Sequence, residues 1–303
     1  LVQENETLYE SIEFNGRYEY LAGPNSGHGG LSKENTKTTK SSTSKLHHVS
    51  SGKMYRIDQE YQSVMKEGGE TYSYRRTKMY DGSQTRMLKE TEYANVIKGY
   101  SGDSNYIYPH MTLMRGPFYY MRLSTLLSGS EVLSDASDAN WDDSISVEYS
   151  VNPDEVVYKG LPCVRLSIFM SNRSKPAMIR NVWLAKERNY IPCKYEAFYL
   201  KISKDTPVEI GTVDEWIELE PGIWFPKTTS VTAYSPFLLT SNGDKKVQWT
   251  KRYSFEDISL SPKYPKSYFQ DMQIPDGLPI HEIDKGQIIQ SYRKNSLDDP
   301  DRK

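Results

Sequence analysis

The stretch Val247-Gln248-Trp249-Thr250-Lys251-Arg252-Tyr253-Ser254-Phe255-Glu256 decides the fold class. Val247, Trp249, Lys251, Tyr253 and Phe255 fall on one side, and Gln248, Thr250, Arg252, Ser254 and Glu256 on the other. Such a period of two is what a half-buried antiparallel strand requires. Working back toward the N-terminus, residues 227–234, 209–219, 191–200, 178–184, 162–170 and 146–152 read the same way. Val164, Leu166, Ile168 and Met170 share one face. Explicit turns separate several of these segments: 171–176, 185–190, Glu220-Pro221-Gly222 and Asn242-Gly243-Asp244. Short connections make successive strands neighbours.

The first half continues the pattern. Residues 14–21, 53–64, 71–80, 84–89 and 93–99 alternate, and Asp81-Gly82 is a hairpin dipeptide because both residues tolerate positive φ. Leu1 to Glu13 reads as a short helix with Leu8 and Ile12 on one face. Residues 31–51, rich in Ser, Thr and Lys, contain too little apolar surface to offset their ordering entropy, so a flexible surface loop or solvated hairpin extension is expected there. The spacing of Phe118, Met121, Leu126 and Leu127, with Pro117 before and Gly129 after, predicts one internal helix. Residues 134–144 read as an acidic loop. After Pro262 the prolines imply an extended run along a sheet edge, with Ile288 and Ile289 in a last short strand. Residues 296–303 read as a disordered tail, and 1–295 as one domain. The expected fold is mainly β: a large curved antiparallel sheet of about eleven strands with one or two covering helices, because a sheet of that size cannot stay flat.

Composition bounds the function. The 303 residues carry 38 Lys+Arg against 40 Asp+Glu, a net charge of −2, which gives no reason to expect nucleic acid as a partner. A mean hydropathy of −0.71, with no apolar run of the ~18 residues a spanning helix needs, excludes an integral helical membrane protein. The chain opens on Leu1 and shows no basic–apolar–small leader pattern. Cys163 and Cys193 are the two cysteines. Each lies near a strand end with a third strand between, so their Cα atoms should sit ~9–10 Å apart. That is beyond the ~7 Å reach of a disulfide, and two buried free thiols are expected.

Four segments together resemble the periplasmic lipoprotein-carrier superfamily, the LolA/LolB-like half-barrels. They are Tyr80-Asp81-Gly82 after a long polar strand; Val182-Trp183-Leu184 leading to Asn189-Tyr190-Ile191-Pro192; 214–234 (DEWIELEPGIWFPKTTSVTAY); and 274–289 (IPDGLPIHEIDKGQII). The resemblance spans residues 80–289 and lies in the order of the segments. The family's carriers are shorter, 31–51 has no counterpart in them, and a protruding apolar loop is not evident. The resemblance implies a half-barrel, a periplasmic, envelope-attached or secreted location, and a lipid or lipoprotein acyl chain as ligand.

No catalytic pattern competes with this reading. His47-His48 is not spaced to share a metal, since alternation on a strand points the two rings apart; the pair reads as solvated loop. His28, His110 and His281 sit beside turns without metal-spaced partners. Asp214, Glu218 and Glu220 share parity opposite Val213, Ile217 and Leu219, which is the solvent face of a strand, although paired acids on a curved sheet would also suit a glycan hydrolase. Gly-x-Ser-x-Gly is absent. The aromatic residues of the second half can be core, ligand groove or partner patch. In the groove reading the contacts are Tyr195, Tyr199, Trp249 and Tyr253, with Met121 and Leu126 from the helix. The expected function is non-enzymatic binding of an apolar ligand, with no cofactor and no metal. A sensory or protein-interaction module of the envelope is the alternative, and a β-sandwich glycan-active hydrolase a further one.

Overall fold

The computed structural model describes residues 2–23, 39–65, 69–98, 109–113, 123–124, 145–172, 175–236, 238–239 and 245–294. The chain starts with helix α1 (Val2–Thr7). Thirteen strands follow: β1 (Ile12–Ala22), β2 (Thr39–Ser51), β3 (Met54–Met65), β4 (Thr71–Tyr80), β5 (Gln84–Lys89), β6 (Tyr93–Lys98), β7 (Ile145–Tyr158), β8 (Leu161–Asn172), β9 (Lys175–Ala185), β10 (Ile191–Tyr199), β11 (Glu209–Glu220), β12 (Ile223–Tyr234) and β13 (Val247–Leu260). A hairpin of β14 (Pro279–Asp284) and β15 (Gln287–Arg293) ends the described chain.

All fifteen strands belong to one open sheet, ordered β15-β14-β6-β5-β4-β3-β2-β1-β13-β12-β11-β10-β9-β8-β7. It is two meanders joined along one seam. The first runs outward from β1 to β6; the second runs inward from β7 to β13, which then pairs antiparallel with β1. Gly23 closes the seam: its N–H donates to the Gln248 carbonyl at 2.7 Å, and a Cβ there would stand 2.1 Å from the Val247 carbonyl oxygen. The β14–β6 pairing is parallel, which a chain returning from the far side of the sheet makes possible.

The count of fifteen corrects the expected eleven or so. Residues 39–51 are not loop but strand β2, hydrogen-bonded on both sides by β1 and β3. Its period of two is real but small and polar: Ser42, Ser44, Leu46, His48 and Ser50 are buried. Hydropathy cannot see a strand whose inward face is mostly serine, because its ordering is offset by ladder hydrogen bonds and the neighbours' bulk. The segment after Pro262 also departs from expectation. It crosses a face of the sheet instead of following its edge. Tyr264 Oη donates to Glu13 on β1 at 2.6 Å, the Arg56 guanidinium of β3 sits 4.8 Å from the Tyr268 ring centroid, and Leu278 packs with Leu88 and Ala94.

On the other face, called the core face below, two apolar clusters meet. Tyr9, Ile12, Phe14, Leu46, Ile57, Phe225, Tyr253 and Phe255 fill one; Leu113, Leu123, Leu166, Ile168, Val182, Tyr195 and Val213 fill the other. The N-terminal helix is shorter than the sequence implies. It stops at Thr7, whose hydroxyl donates to the Glu4 carbonyl at 2.6 Å, and Ile12 already begins β1. Of the internal helix expected at 118–127, Leu123 and Ser124 are described, and both are helical. Glu6 holds them: its carboxylate accepts from the Leu123 N–H at 2.5 Å and from the Ser124 N–H at 3.3 Å. The remaining residues of that helix, Met121 and Leu126 among them, lie outside the described residues, as do 296–303.

Candidate functional site

The register of β13, β1, β2, β3 and β4 builds a trough on the core face. Residues directly opposite in neighbouring strands share a face, so each register line is a row of side chains. One row reads Tyr253, Tyr18, Ser44, Tyr61, Tyr74 across the five strands. The next reads Lys251, Tyr20, Ser42, Ser63, Tyr72. The serines of β2 are short, so the rings to either side stand above them. On the β1–β13 side, Tyr18 lies 5.1 Å from Tyr253 between ring centroids, and Tyr20 lies 6.4 Å from Trp249. On the β3–β4 side, Tyr61 stacks on Tyr74 at 4.9 Å, and Tyr72 tilts against Tyr74 at 5.7 Å. Tyr18, Tyr20, Tyr61, Tyr74 and Trp249 are half-buried, and Tyr72 is exposed.

Cations edge both walls. Lys251 Nζ sits 5.5 Å from the Tyr18 centroid and 5.4 Å from Trp249; Lys89 Nζ sits 5.3 Å from Tyr72 and 4.9 Å from Tyr74. A polar relay crosses one end, where Arg76 Nη2 donates to Gln59 Oε1 and Gln59 Nε2 donates to Ser44 Oγ, both at 2.7 Å. Rings with hydroxyl tips and cations over their faces give the surface an apolar body and a positive rim.

Of the ligand contacts expected from sequence, Trp249 and Tyr253 belong to this trough. Tyr195 does not: it is fully buried in the cluster with Leu166 and Val182, under the Arg180 guanidinium at 5.9 Å. Tyr199 lies near the end of β10, 36% exposed, away from the other three. The residues that sequence reasoning missed are Tyr18, Tyr20, Tyr61, Tyr72 and Tyr74. Their alternation was visible, but the rows exist only because β1 pairs with β13, a contact between residues more than 200 apart in the chain.

The remaining motifs have structural partners. Asp214 accepts from Thr212 Oγ1 at 2.9 Å and Glu218 from the Gly222 N–H at 2.8 Å, while Glu215 pairs with Lys227 and Glu196 with Lys194. The histidine pair is strand, not loop, and its rings do point apart. His47 bonds Glu13 at 2.9 Å on the outward face, and hydrogen bonds from Tyr264 and His47 outweigh the opposing effect of burial to hold the Glu13 carboxyl below its ordinary range. His48 is fully buried, stacked on Phe14 at 4.9 Å, and burial, reinforced by the charge of His47, pushes its pKa down to about 3. Among the described residues no group of three or more His, Cys, Asp or Glu is arranged to hold a metal ion.

A second concavity, of about 660 Å³, lies mostly on the opposite face, over the same strands. Arg17, Lys45, His47, Asp58, Glu60 and Arg75 line it, so it is charged and not the apolar hollow the sequence led us to expect. Its charges largely answer one another, as Arg75 and Glu60 do at 3.0 Å. A crevice of about 20 Å³ between Tyr9, His110, Leu123 and Ile191 is too small for more than a water.

No protein-family model matches the chain, and no curated protein matches it. Among solved structures, the chain is similar to one described as an outer membrane lipoprotein-sorting protein domain, from Vibrio parahaemolyticus. The identity is 10%, the coverage 88% of this chain and 93% of that one, and the TM-score 0.41. It is similar also to LprF from Mycobacterium bovis, at 8% identity, 87% and 92% coverage and TM-score 0.25. A porin-like protein from Bacteroides uniformis gives 8%, 81% and 96%, with TM-score 0.31. The resemblance read from the sequence and these neighbours agree on a mainly β fold with one large open sheet. Among the described residues, no helix is long and apolar enough to cross a membrane.

Proposed function

We propose that this protein is a non-catalytic binding protein of the cell envelope, and that its ligand is a lipid or the acyl chain of a lipoprotein, held on the core face of the sheet. The observation that supports this is the pair of aromatic rows flanking the β2 serines. A Tyr or Trp ring has an apolar area of the order of 150–250 Å², and half-buried rings on both sides of a floor of short side chains leave that area to a guest. Lys251 and Lys89 at the rim favour an anionic end on that guest. Trp249 contacts the guest and reports it.

The test is titration of delipidated protein with a fluorescent fatty acid. Saturable uptake at micromolar concentration, accompanied by a change in Trp249 emission, is expected. Tyr18→Ala and Tyr61→Ala, one on each wall, should each weaken uptake about tenfold or more, a loss of ~1.4 kcal/mol or more per ring. Absence of uptake, or uptake indifferent to both substitutions, overturns the assignment.

A further inference from the structure

Cys163 and Cys193 stand on β8 and β10, with β9 between them as the sequence implied, yet their sulfur atoms are 3.5 Å apart. Two features of the sheet bring this about. The β9 residue between them is small: Ala185 pairs with Cys163 on one side and with Ile191 on the other. On β10 the register slips, Pro192 opposing Leu184 and Lys194 opposing Trp183, which leaves Cys193 as the extra residue of a bulge. The bulge re-aims its side chain. Tyr195, two residues on, packs in the core-face cluster, whereas Cys193 packs with Cys163, Trp183 and Ala185 in another. Ordinary alternation would have placed Cys193 beside Tyr195.

We propose that Cys163 and Cys193 are a disulfide-forming pair, a modification site that pins β8 to β10 across β9. The bond forms by exchange with a low-molecular-weight disulfide. One cysteine thiolate attacks that disulfide, forming a mixed disulfide and expelling one thiol. The second cysteine then attacks the mixed disulfide, expelling the other thiol and closing the Cys163–Cys193 bond. Two cysteine protons leave, two electrons pass to the small disulfide, and two small thiols result.

The reduced pair is held ready for this. Cys163 directs its S–H toward the Leu161 carbonyl at 3.2 Å and Cys193 toward the Trp183 carbonyl at 3.3 Å, so the sulfurs face each other. Both thiols are almost without solvent contact. Burial pushes both pKa values up, and each sulfur raises the charge cost for Cys193. Thiolate is therefore scarce once the sheet has closed, and exchange belongs to folding, before β10 docks.

Reduced protein unfolded in guanidinium is refolded in a glutathione/glutathione-disulfide mixture, denatured again, alkylated with N-ethylmaleimide and weighed. The expected product is a monomer lighter by two hydrogens with no adduct, and it unfolds at a higher denaturant midpoint than protein refolded with dithiothreitol. Cys163→Ser and Cys193→Ser should show no such difference in midpoint between the two refolding conditions. If the chain does not refold, folded reduced protein treated with diamide gives the same readout by mass. Wild-type monomer that takes two adducts after either treatment, or bridges that form only between molecules, would overturn the proposal.

Discussion

His48 makes a sharp energetic demand on this fold. Its imidazole is fully buried on the core face, stacked on Phe14, and its strand neighbours across the register are Phe14 and Ile57. Neither ring nitrogen has a hydrogen-bond partner among the described residues. The folded protein therefore keeps this ring neutral down to about pH 3, whereas the unfolded chain protonates it near the ordinary value of 6.5. The folded value is depressed, so stability is fully present above pH 6.5 and is lost as the pH falls toward 3, since over that window only the unfolded state takes up the proton. At pH 5 the loss is RT ln(1 + 10^1.5), ~2 kcal/mol, against ~0.2 kcal/mol at pH 7. Replacing the ring with a side chain that cannot titrate, His48→Leu, removes this term. Urea unfolding of both proteins at pH 7 and pH 5 measures it. Wild type should lose ~2 kcal/mol more than the variant between the two pH values, whatever the substitution does to stability at pH 7. Equal losses, within ~0.5 kcal/mol, would refute the reasoning and mean that the ring is hydrated or paired in solution.

Three further perturbations probe other joints of the fold. Gly211 lies where the short 3-10 segment Pro109–Thr112 and Leu113 cross the core face, and a Cβ there would meet the Leu113 carbonyl oxygen at 3.0 Å; Gly211→Val should cost ~1–3 kcal/mol in chemical denaturation through overpacking against backbone. Asp81, with its side chain 4% exposed, accepts from Ser83 and Gln84 N–H groups and from Arg86 at 2.8 Å. Burial opposes its charge, but these bonds hold its pKa below the ordinary range. Asp81→Ala should cost about 1–3 kcal/mol at pH 7. The gap should narrow as the pH falls below ~4 through the depressed folded value, because wild type then protonates the same group. Glu6→Gln, which removes the charge that gathers the Leu123 and Ser124 N–H groups, should speed hydrogen exchange at those amides roughly fivefold or more, for a cost of ~1 kcal/mol; unchanged exchange would remove Glu6 from that role.

The strands of the second half were legible because their chemistry is local. Val247 to Phe255 alternates large apolar with polar residues, and Pro221-Gly222 and Asn242-Gly243 punctuate the run, so pattern and turn chemistry agree residue by residue. The same local logic read β4 and β5 to the residue, through Asp81-Gly82. Strand β2 was not legible. Its inward Ser42, Ser44 and Ser50 carry no hydropathy signal, and what makes them strand is hydrogen bonding to β1 and β3 on either side. The candidate site was half legible. Trp249 and Tyr253 stood out on β13, but Tyr195, with the same alternation, is core, because burial depends on which cluster lies above a strand and alternation reports only the face.

By itself, then, the sequence determined that the chain is a large antiparallel sheet, where most of its strands run, which side of each faces inward, and that its two thiols are buried. Only the tertiary structure decided that β1 meets β13, that β2's serines become the floor between two walls of tyrosine, and that a bulge at Cys193 brings two sulfurs within 3.5 Å across Ala185. The physical reason is range. Periodicity and turn preference are set by a residue and its near neighbours, whereas strand order and register are set by pairings between segments hundreds of residues apart.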